Sequence, residues 1–561
     1  MDIKQLATNF TISDQVTVND LPTLQSRGVK LLICNRPDGE GPGQPAWQEL
    51  ATAAEAAGMQ MHYVPVVQDT INSADVRSFA ALLQEGQPIH AFCRSGARTT
   101  VLWALALIAK GNAVADVVAA AKAQGVDLDA LPMRYASVIA ELTGVLNGLP
   151  VARNSPLLII GGGAAGIALA ASLLKRSPRL DITIVEPATE HFYQPGFTLV
   201  GAGVFKIPQI RRPTASLMPP QVKWIKAAVT HILPEQNQVV LSDNTKLSYE
   251  RLAVCAGLKL NWGAVAGLEE TLGKNGVTSN YRFDLAPYTW ELVSGLKKGT
   301  ALFTQPPMPI KCAGAPQKAL YLSAHHWESQ GLLKNIDIGF CNAGAVLFGV
   351  KEFVPALLEY IERYRVNLQL GHNLVRVDGP ARLATFATTT SDGQAVLKEI
   401  SFDMLHVCPP QCAPDFIRNS AVADRAGWVS VNQTTLQHTK YRNIWSIGDV
   451  CNAPNAKTAA AVRKQAPIAA ENILADIKKQ KAVYGYNGYG ACPLTVERGK
   501  IVLAEFGYGG KLLPSLPLWL VQGTRPTRIA WWLKKTLMPI LYWDYMLKGK
   551  EPLVKPDTKL D

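Results

Sequence analysis

The chain has 561 residues, material for about three or four domains, and its 48% hydrophobic and 18% charged content excludes a disordered protein. A formal net charge of +12 suits an anionic partner such as an acidic lipid or an anionic substrate; no interleaving of arginine with aromatic residues supports nucleic acid, which is excluded as a partner. Nine cysteines at irregular spacing exclude a disulfide scaffold and point to a reducing compartment with reactive thiols, and Met1-Asp2-Ile3-Lys4-Gln5 carries no apolar signal core, so secretion is not expected.

Residues 1–150 read as a small α/β domain. Leu31-Leu32-Ile33-Cys34 is a short buried strand running into the turn Asn35-Arg36-Pro37-Asp38-Gly39. A helix is expected over 51–57, a strand over 61–67 and an amphipathic helix over 74–85. Ile89-His90-Ala91-Phe92 then leads into Cys93-Arg94-Ser95-Gly96-Ala97-Arg98-Thr99 and an apolar helix from Thr100. A cysteine after a strand, a small loop and a helix start make an anion nest, where backbone N–H groups and the helix dipole converge. That field, with Arg94 and Arg98, should make Cys93 a nucleophile, and Arg98 is placed to fork onto an oxyanion. Asp38 and Asp69 read as turn or capping residues. Residues 128–147 look helical, and Leu149–Pro156 reads as a linker.

The stretches Asn35-Arg36-Pro37-Asp38-Gly39-Glu40 and His90-Ala91-Phe92-Cys93-Arg94-Ser95-Gly96 resemble the phosphatase-like small domain that bacteria fuse to sulfur-oxidising enzymes. The loop between Cys93 and Arg98 is one residue shorter than that of a tyrosine phosphatase and the size of a rhodanese loop, which suits a sulfur atom better than a phosphate. The resemblance implies a sulfurtransferase with a Cys93 persulfide.

Leu157-Leu158-Ile159-Ile160-Gly161-Gly162-Gly163-Ala164-Ala165-Gly166 is the organising stretch of the remainder. An apolar strand ends in glycines, and an alanine- and leucine-rich helix follows. Gly161 permits the turn, Gly163 lets the backbone approach a pyrophosphate, and Gly166 lets helix and strand pack closely. The N–H groups at the helix start then face the phosphates. Glu186 ends the next apolar run, about 20 residues on, where an acid holds a ribose hydroxyl.

Arg251-Leu252-Ala253-Val254-Cys255-Ala256-Gly257 and Tyr441-Arg442-Asn443-Ile444-Trp445-Ser446-Ile447-Gly448-Asp449 are two further apolar strands ending in glycine, the second followed by an acid for a ribityl chain. These point to FAD as the resident cofactor. Cofactor contacts are expected at Gly161, Gly163, Ala165, Gly166, Glu186, Gly257, Gly448 and Asp449, to which the family resemblance given below adds Gln194 and Lys457. The FAD domain is assigned to residues 151–270 and 410–490, and a second Rossmann-like domain to 271–409. Cys341-Asn342-Ala343-Gly344 follows a strand there, but its glycines do not match a nicotinamide fingerprint, so another electron donor is needed. Cys312 precedes a helix start with Lys311 and Lys318 around it, a setting that favours thiolate. Cys451 follows the Gly448-Asp449 turn, and the two are expected to form a redox pair at the flavin. Cys34, Cys341 and Cys492 read as buried small hydrophobes. Cys408 and Cys412 lack two further ligands, so no metal site is assigned.

From about residue 155 to 550 the chain resembles the mitochondrial-type sulfide:quinone oxidoreductases. The resemblance is carried by Glu190-His191-Phe192-Tyr193-Gln194-Pro195, Arg212-Pro213-Thr214-Ala215-Ser216, Lys311-Cys312-Ala313-Gly314-Ala315-Pro316-Gln317-Lys318, Gly448-Asp449 and Lys457-Thr458-Ala459-Ala460-Ala461. It implies two cysteines bridged beside the flavin: sulfide opens the bridge, one cysteine becomes a persulfide and the other passes two electrons to the flavin. Cys312 matches the first by motif. Cys451, assigned as the second, falls two residues after Asp449 rather than one. Lys457 is implied near the flavin or the quinone head.

Residues 491–561 are assigned as a quinone- and membrane-binding segment. Ile529, Trp532, Leu533, Leu537, Ile540 and Leu541 fall at helical spacing, with Lys534, Lys535 and Lys548 for charge and Trp531, Trp532, Tyr542, Trp543 and Tyr545 as interfacial aromatics. No uncharged run reaches the ~20 residues of a span, and Pro539 should interrupt the helix, so a helix pair lying in one leaflet is expected. The whole reads as an α/β protein: a phosphatase-like domain, a tandem Rossmann-like flavoprotein and an amphipathic membrane-binding tail. The expected activity is oxidation of hydrogen sulfide to sulfane sulfur, with electrons passing through FAD to quinone. The Cys93 domain would move sulfur between thiosulfate and a thiol such as glutathione. The expected place is peripheral, on the inner membrane at the cytoplasmic face of a bacterium, with homo-oligomerisation left open. A type II NADH:quinone dehydrogenase bearing a phosphatase domain and a non-catalytic flavin redox sensor are the alternatives.

Overall fold

The computed structural model describes residues 1–561 other than 42, 84–86, 391, 555, 557 and 561. Two compact units divide the chain. The first holds Met1–Asn154 with Ala228–Tyr249 and Asp415–Ser430; the second holds Ser155–Ala227, Glu250–Pro414 and Val431–Asp561.

The first unit is built on five strands: β1 (Lys4–Ala7), β2 (Phe10–Ser13), β3 (Leu31–Cys34), β4 (Gln60–Tyr63) and β5 (Ile89–Phe92), in the order β1-β2-β5-β3-β4. Strands β3 and β5 are buried at every residue, as continuous apolar runs in a parallel sheet must be. β5 feeds the Cys93 loop and then helix α1 (Ala97–Ala109), so the loop sits at the carboxyl end of a central strand. Two local expectations change. The strand expected over 61–67 stops at Tyr63, and the helix expected over 74–85 runs Ser73–Ala80, with residues 84 and 85 outside the described ones. The helical stretch 128–147 is broken into Leu131–Arg134, Ala136–Leu142 and a single 3-10 turn at Val145–Gly148.

Strand β6 (Val151–Ile160) begins inside the segment expected to be a linker and carries the chain from the last residues of the first unit into the second at Ser155; the Lys246 N–H donates to the Pro150 carbonyl at 2.8 Å and takes up the extended backbone there. Helix α2 (Ala164–Arg176), β7 (Ile182–Val185), β8 (Lys223–Ile225) and β9 (Lys246–Val254) follow. The sheet order is β8-β7-β6-β9, with a later strand beside β9, the open doubly wound arrangement of a dinucleotide-binding unit. A second parallel sheet contains β10 (Val277–Thr278), β11 (Gly299–Gln305), β12 (Ile336–Asn342), β13 (Asn367–Leu370) and β14 (Met404–His406), in the order β10-β14-β11-β12-β13. Helix α3 (Ala315–Ser329) follows β11. In this order β11 is the first strand of its Rossmann unit. The turn after β11, and not the one after β12 where the sequence was searched for a fingerprint, is where a pyrophosphate would lie. That turn carries Cys312.

The chain then returns through β15 (Ile444–Ser446), which pairs with β9, and α4 (Ala459–Ile477), which packs on α2. A hairpin, β16 (Gly490–Glu497) and β17 (Lys500–Phe506), lays Cys492, Leu494 and Val496 into the core of the second sheet. Beyond it, residues 528–548 form one run of helix instead of a pair: α-turns at Arg528–Trp532 and Met538–Ile540 alternate with π-turns at Leu533–Leu537 and Leu541–Tyr545. Pro539 sits at the second residue of an α-turn after a π-turn, where the widened ladder tolerates its missing N–H. Tyr542, Trp543, Met546 and Leu547 join the core of the FAD-type domain. Among the described residues no helix is long and apolar enough to cross a membrane.

Candidate active site

The turn after β11 is shaped around one thiol. Cys312 adopts φ +50°, in the left-handed region that cysteine rarely visits. Its N–H donates to the Lys457 carbonyl at 2.9 Å, and its own carbonyl accepts from the Ala315 N–H at 2.7 Å, opening α3. Lys318, one turn into α3, is buried and donates to Cys312 Sγ at 2.9 Å. On the other side β16 brings Cys492 Sγ to 3.8 Å from Cys312 Sγ. Gly314 makes the approach possible: a Cβ there would lie 2.7 Å from Cys492 Sγ and 2.1 Å from Leu494 Cδ2.

The electrostatics of the pair are asymmetric. The hydrogen bond from Cys492 and then the Lys318 ammonium hold the Cys312 thiol well below its ordinary pKa, against the opposing effect of burial. The Cys492 thiol is pushed up, first by its bond to Cys312 and then by burial. Burial opposes the Lys318 charge, but the two sulfurs more than restore it. A second lysine, Lys534, comes from the C-terminal helix. It is 3% exposed, its Nζ reaches the Pro493 carbonyl at 3.4 Å, and burial together with Lys318 brings its pKa down to about 7.

Cys451 is not part of this pair, which corrects the expected pairing. Its thiol is buried and donates to the Gly448 carbonyl at 3.3 Å, closing the turn it belongs to, and burial raises its pKa. The cause is topological: Cys451 lies at the end of a strand in the FAD-type sheet, whereas β16 crosses beside the start of α3. Cys492 was read as a buried hydrophobe, and Lys534 as part of a charged helix face. No local signal in either stretch reports a neighbour some hundreds of residues away.

The remaining candidates lie on the turns that follow the strands of the FAD-type sheet. Gly161 has φ +98°, and a Cβ there would meet the Cys255 carbonyl oxygen at 2.5 Å; at Gly166 it would meet the Gly161 oxygen at 1.8 Å. Gly163 and Gly257 instead face open space, with nothing within 4 Å of a Cβ, and Gly257 has φ +69°. Ala165 lies under Gly448, whose Cβ would be 3.0 Å from the Ala165 methyl. Glu186 accepts from the Gly162 N–H at 2.8 Å and the Ala188 N–H at 2.7 Å, at the glycine turn itself. Burial pushes the Asp449 carboxyl above its ordinary range, against the positive charges of Lys457 and Lys311. Lys457 Nζ donates to the Asp449 and Cys451 carbonyls at 2.7 and 2.8 Å, so one residue clamps this turn with its side chain and the Cys312 turn with its carbonyl. Gln194 accepts from Lys311 Nζ at 2.6 Å, beside Cys312. Glycines that leave open space over a sheet end, a carboxylate at the turn and an acid on the last strand fit a flavin dinucleotide.

In the first unit, Cys93 is buried and Gly96, with φ +82°, caps α1. Asn35 ties the loop down, accepting from Thr99 Oγ1 at 3.1 Å and donating to the Val64 carbonyl at 2.9 Å. Arg98 reaches the Cys93 thiol, but its fork does not stand open: both terminal nitrogens donate to Glu40. Arg94 is exposed. Asp38 accepts from the Trp47 N–H at 3.0 Å, at the start of the helix Trp47–Ala56, whereas Asp69 pairs with Arg134.

Comparison with known proteins follows this division. Residues 2–110 match the family model described as the phosphatase-like domain of beta-lactamase hydrolase-like protein. Over 397 residues the chain is 40% identical to the mitochondrial sulfide:quinone oxidoreductase of Dictyostelium discoideum, covering 70% of this chain and 86% of that one. The chain belongs to the sulfide:quinone oxidoreductase family. The mouse (Mus musculus) mitochondrial sulfide:quinone oxidoreductase is 39% identical over 394 residues, covering 70% and 86%. The crystal structure of the sulfide:quinone oxidoreductase from Aquifex aeolicus superimposes with a TM-score of 0.58 at 20% identity, covering 71% of this chain and 92% of that one, which shows a shared fold. A flavin cofactor goes with this oxidoreductase family. The expected bacterial cytoplasmic face is corrected by the same matches: the relatives that establish the family are mitochondrial proteins of eukaryotes.

Proposed function

We propose that this sulfide:quinone oxidoreductase oxidises hydrogen sulfide at Cys312 and Cys492, passes the electron pair through FAD to quinone, and hands the sulfur to a carrier cysteine, Cys93. The observation that carries the reading is the 3.8 Å separation of a half-buried thiol, Cys312, from a buried one, Cys492, with an ammonium on the first. A sulfur–sulfur bond of about 2.05 Å needs only a small closing movement. In the oxidised state hydrosulfide attacks Cys492; the bridge breaks, Cys492 holds the new sulfur as a persulfide, and Cys312 leaves as a thiolate. Lys318 selects that direction, because the sulfur it faces is the better leaving group. Two electrons pass from the sulfide sulfur to the cysteine pair. FAD, when bound, supplies the two-electron acceptor that returns the cysteines to the bridge and reduces quinone. Gly161, Gly163 and Gly166 would admit its pyrophosphate, Glu186 its ribose and Asp449 its ribityl chain; Lys457 would hold the Asp449 turn against Cys312.

Cys93 then exchanges sulfur between a low-molecular-weight thiol such as glutathione and thiosulfate, and carriage on one chain raises the effective concentration of each partner. Peripheral membrane attachment fits the C-terminal segment: Leu518, Trp519, Ile529, Trp532 and Ile540 are exposed, with Trp519 at 85% and Trp532 at 54%, among Arg525, Arg528 and Lys535. Anaerobic stopped-flow absorbance of the flavin on mixing with sulfide tests the reading. Wild type and Cys451→Ser should bleach rapidly, whereas Cys312→Ser and Cys492→Ser should not; bleaching of Cys492→Ser at the wild-type rate would overturn it.

A further inference from the structure

Around Cys93 a single carboxylate organises both arginines of the site. Arg98 donates Nη1 to Glu40 Oε1 and Nη2 to Glu40 Oε2, each at 2.7 Å, and Nη1 also donates to the Val66 carbonyl at 2.9 Å. Arg36 donates Nε to the same Oε2 at 2.9 Å and Nη1 to Gln15 Oε1 at 2.8 Å. Arg98 is buried whereas Glu40 is an exposed residue whose side chain keeps 27% of its accessibility, so solvent screens the contact from the Glu40 side alone. The Arg98 hydrogen bonds, followed by Arg36, hold the Glu40 carboxyl below the usual range, and it is ionised at neutral pH. The fork face that a tetrahedral oxyanion would use is therefore already filled by an anion of the same two-oxygen geometry. A phosphate or sulfonate group reaching Arg98 must displace Glu40 or share the guanidinium with it, and two anions on one guanidinium repel.

We propose that Glu40 is the specificity-determining residue of the Cys93 site, weakening the binding of tetrahedral oxyanions, thiosulfate among them, relative to persulfides, whose S–SH group carries at most one charge and no oxygen tripod. The inference rests on the sulfur-carrier reading of Cys93. In the step it favours, the Cys93 thiolate attacks the outer sulfur of R–S–SH. The S–S bond of the donor breaks, R–S⁻ departs and takes a proton from water, and Cys93 holds the S–SH group with no net gain or loss of electrons. Thiosulfate becomes the poorer donor and an aryl phosphate the poorest.

The test uses the full-length holoprotein and tungstate, an unreactive tetrahedral dianion. By calorimetry, Glu40→Gln should bind tungstate about 10- to 100-fold more tightly than wild type, the scale of a pair of charge-assisted hydrogen bonds freed for the ligand. Glu40→Ala should shift it the same way, and Arg98→Lys added to Glu40→Gln should abolish the gain. The rate of thiocyanate formation from thiosulfate and cyanide should rise relative to that from glutathione persulfide. Tungstate binding that is equal or weaker in both Glu40 variants would overturn the proposal, since Glu40 would then only position Arg98. Tighter binding with no sulfur loaded on Cys93 from either donor, read by intact mass, would support the exclusion and overturn the sulfur-carrier reading.

Discussion

Replacing Lys318 by methionine isolates the interaction that makes the two thiols unequal. Methionine fills the buried space of the lysine stem and removes only the ammonium, which lies 2.9 Å from Cys312 Sγ. At that separation, with an effective dielectric constant of about 20, the attraction between ammonium and thiolate is about 6 kcal/mol, an upper bound. Measured hydrogen bonds to charged groups, about 1.5–3 kcal/mol, set the lower bound. At 1.36 kcal/mol per pKa unit, the apparent pKa of Cys312 should rise by at least about one unit and by no more than about four. The sign follows from the cation's stabilising the charged form alone. The assay is the pH dependence of iodoacetamide alkylation of Cys312 in the reduced protein, quantified by peptide mass, with Cys492→Ser in both proteins so that one thiol titrates. An apparent pKa unchanged within about 0.3 units, or lowered, would refute the assignment of Lys318 as the counter-ion.

Three further outcomes are expected. Gly314→Ala should push Cys492 and Leu494 away, lower stability by about 1–3 kcal/mol in denaturant titration and leave both thiols reactive toward a disulfide reagent after mild oxidation, whereas wild type should lose two reactive thiols. Lys534 has a folded pKa of about 7, below its ordinary value, so the unfolded chain binds the extra proton between those two values and stability rises with pH across that window. Lys534→Met should therefore raise the unfolding free energy more at about pH 6 than at about pH 10, by on the order of 4 kcal/mol at the acid end, read by denaturant titration; an equal gain at both ends would show that the charge is not buried. Trp519→Ala with Trp532→Ala should reduce co-sedimentation with anionic lipid vesicles by about tenfold or more while leaving the thermal midpoint in place, because both rings are exposed.

The first Rossmann turn is legible in a single line of residues, because its chemistry is local. Gly161, Gly163 and Gly166 are required by one turn and one helix, and Glu186 lies at the end of the very next strand. The Cys93 loop is legible for the same reason, since strand, loop and helix start are contiguous. Cys312 is visible from its own neighbourhood, a thiol between lysines before a helix. Its partner is not: Cys492 stands in an ordinary apolar strand, and nothing within that strand says which turn it will face. Cys451 is nearer to the flavin turn in sequence, but its thiol donates to the Gly448 carbonyl of its own turn, and the strand that meets the Cys312 turn is the one carrying Cys492.

Period, composition and turn chemistry thus specify the Rossmann units, their glycine turns and the placing of Cys312 and Cys93 each between a strand and a helix, because each depends on interactions within a few residues. The pairing of Cys312 with Cys492, the arrival of Lys534 from the last helix and the closing of Arg98 on Glu40 depend on which surfaces meet when the sheets pack. Those contacts are set by long-range burial and the register of distant strands, and a residue carries no mark of them until the chain has folded around it.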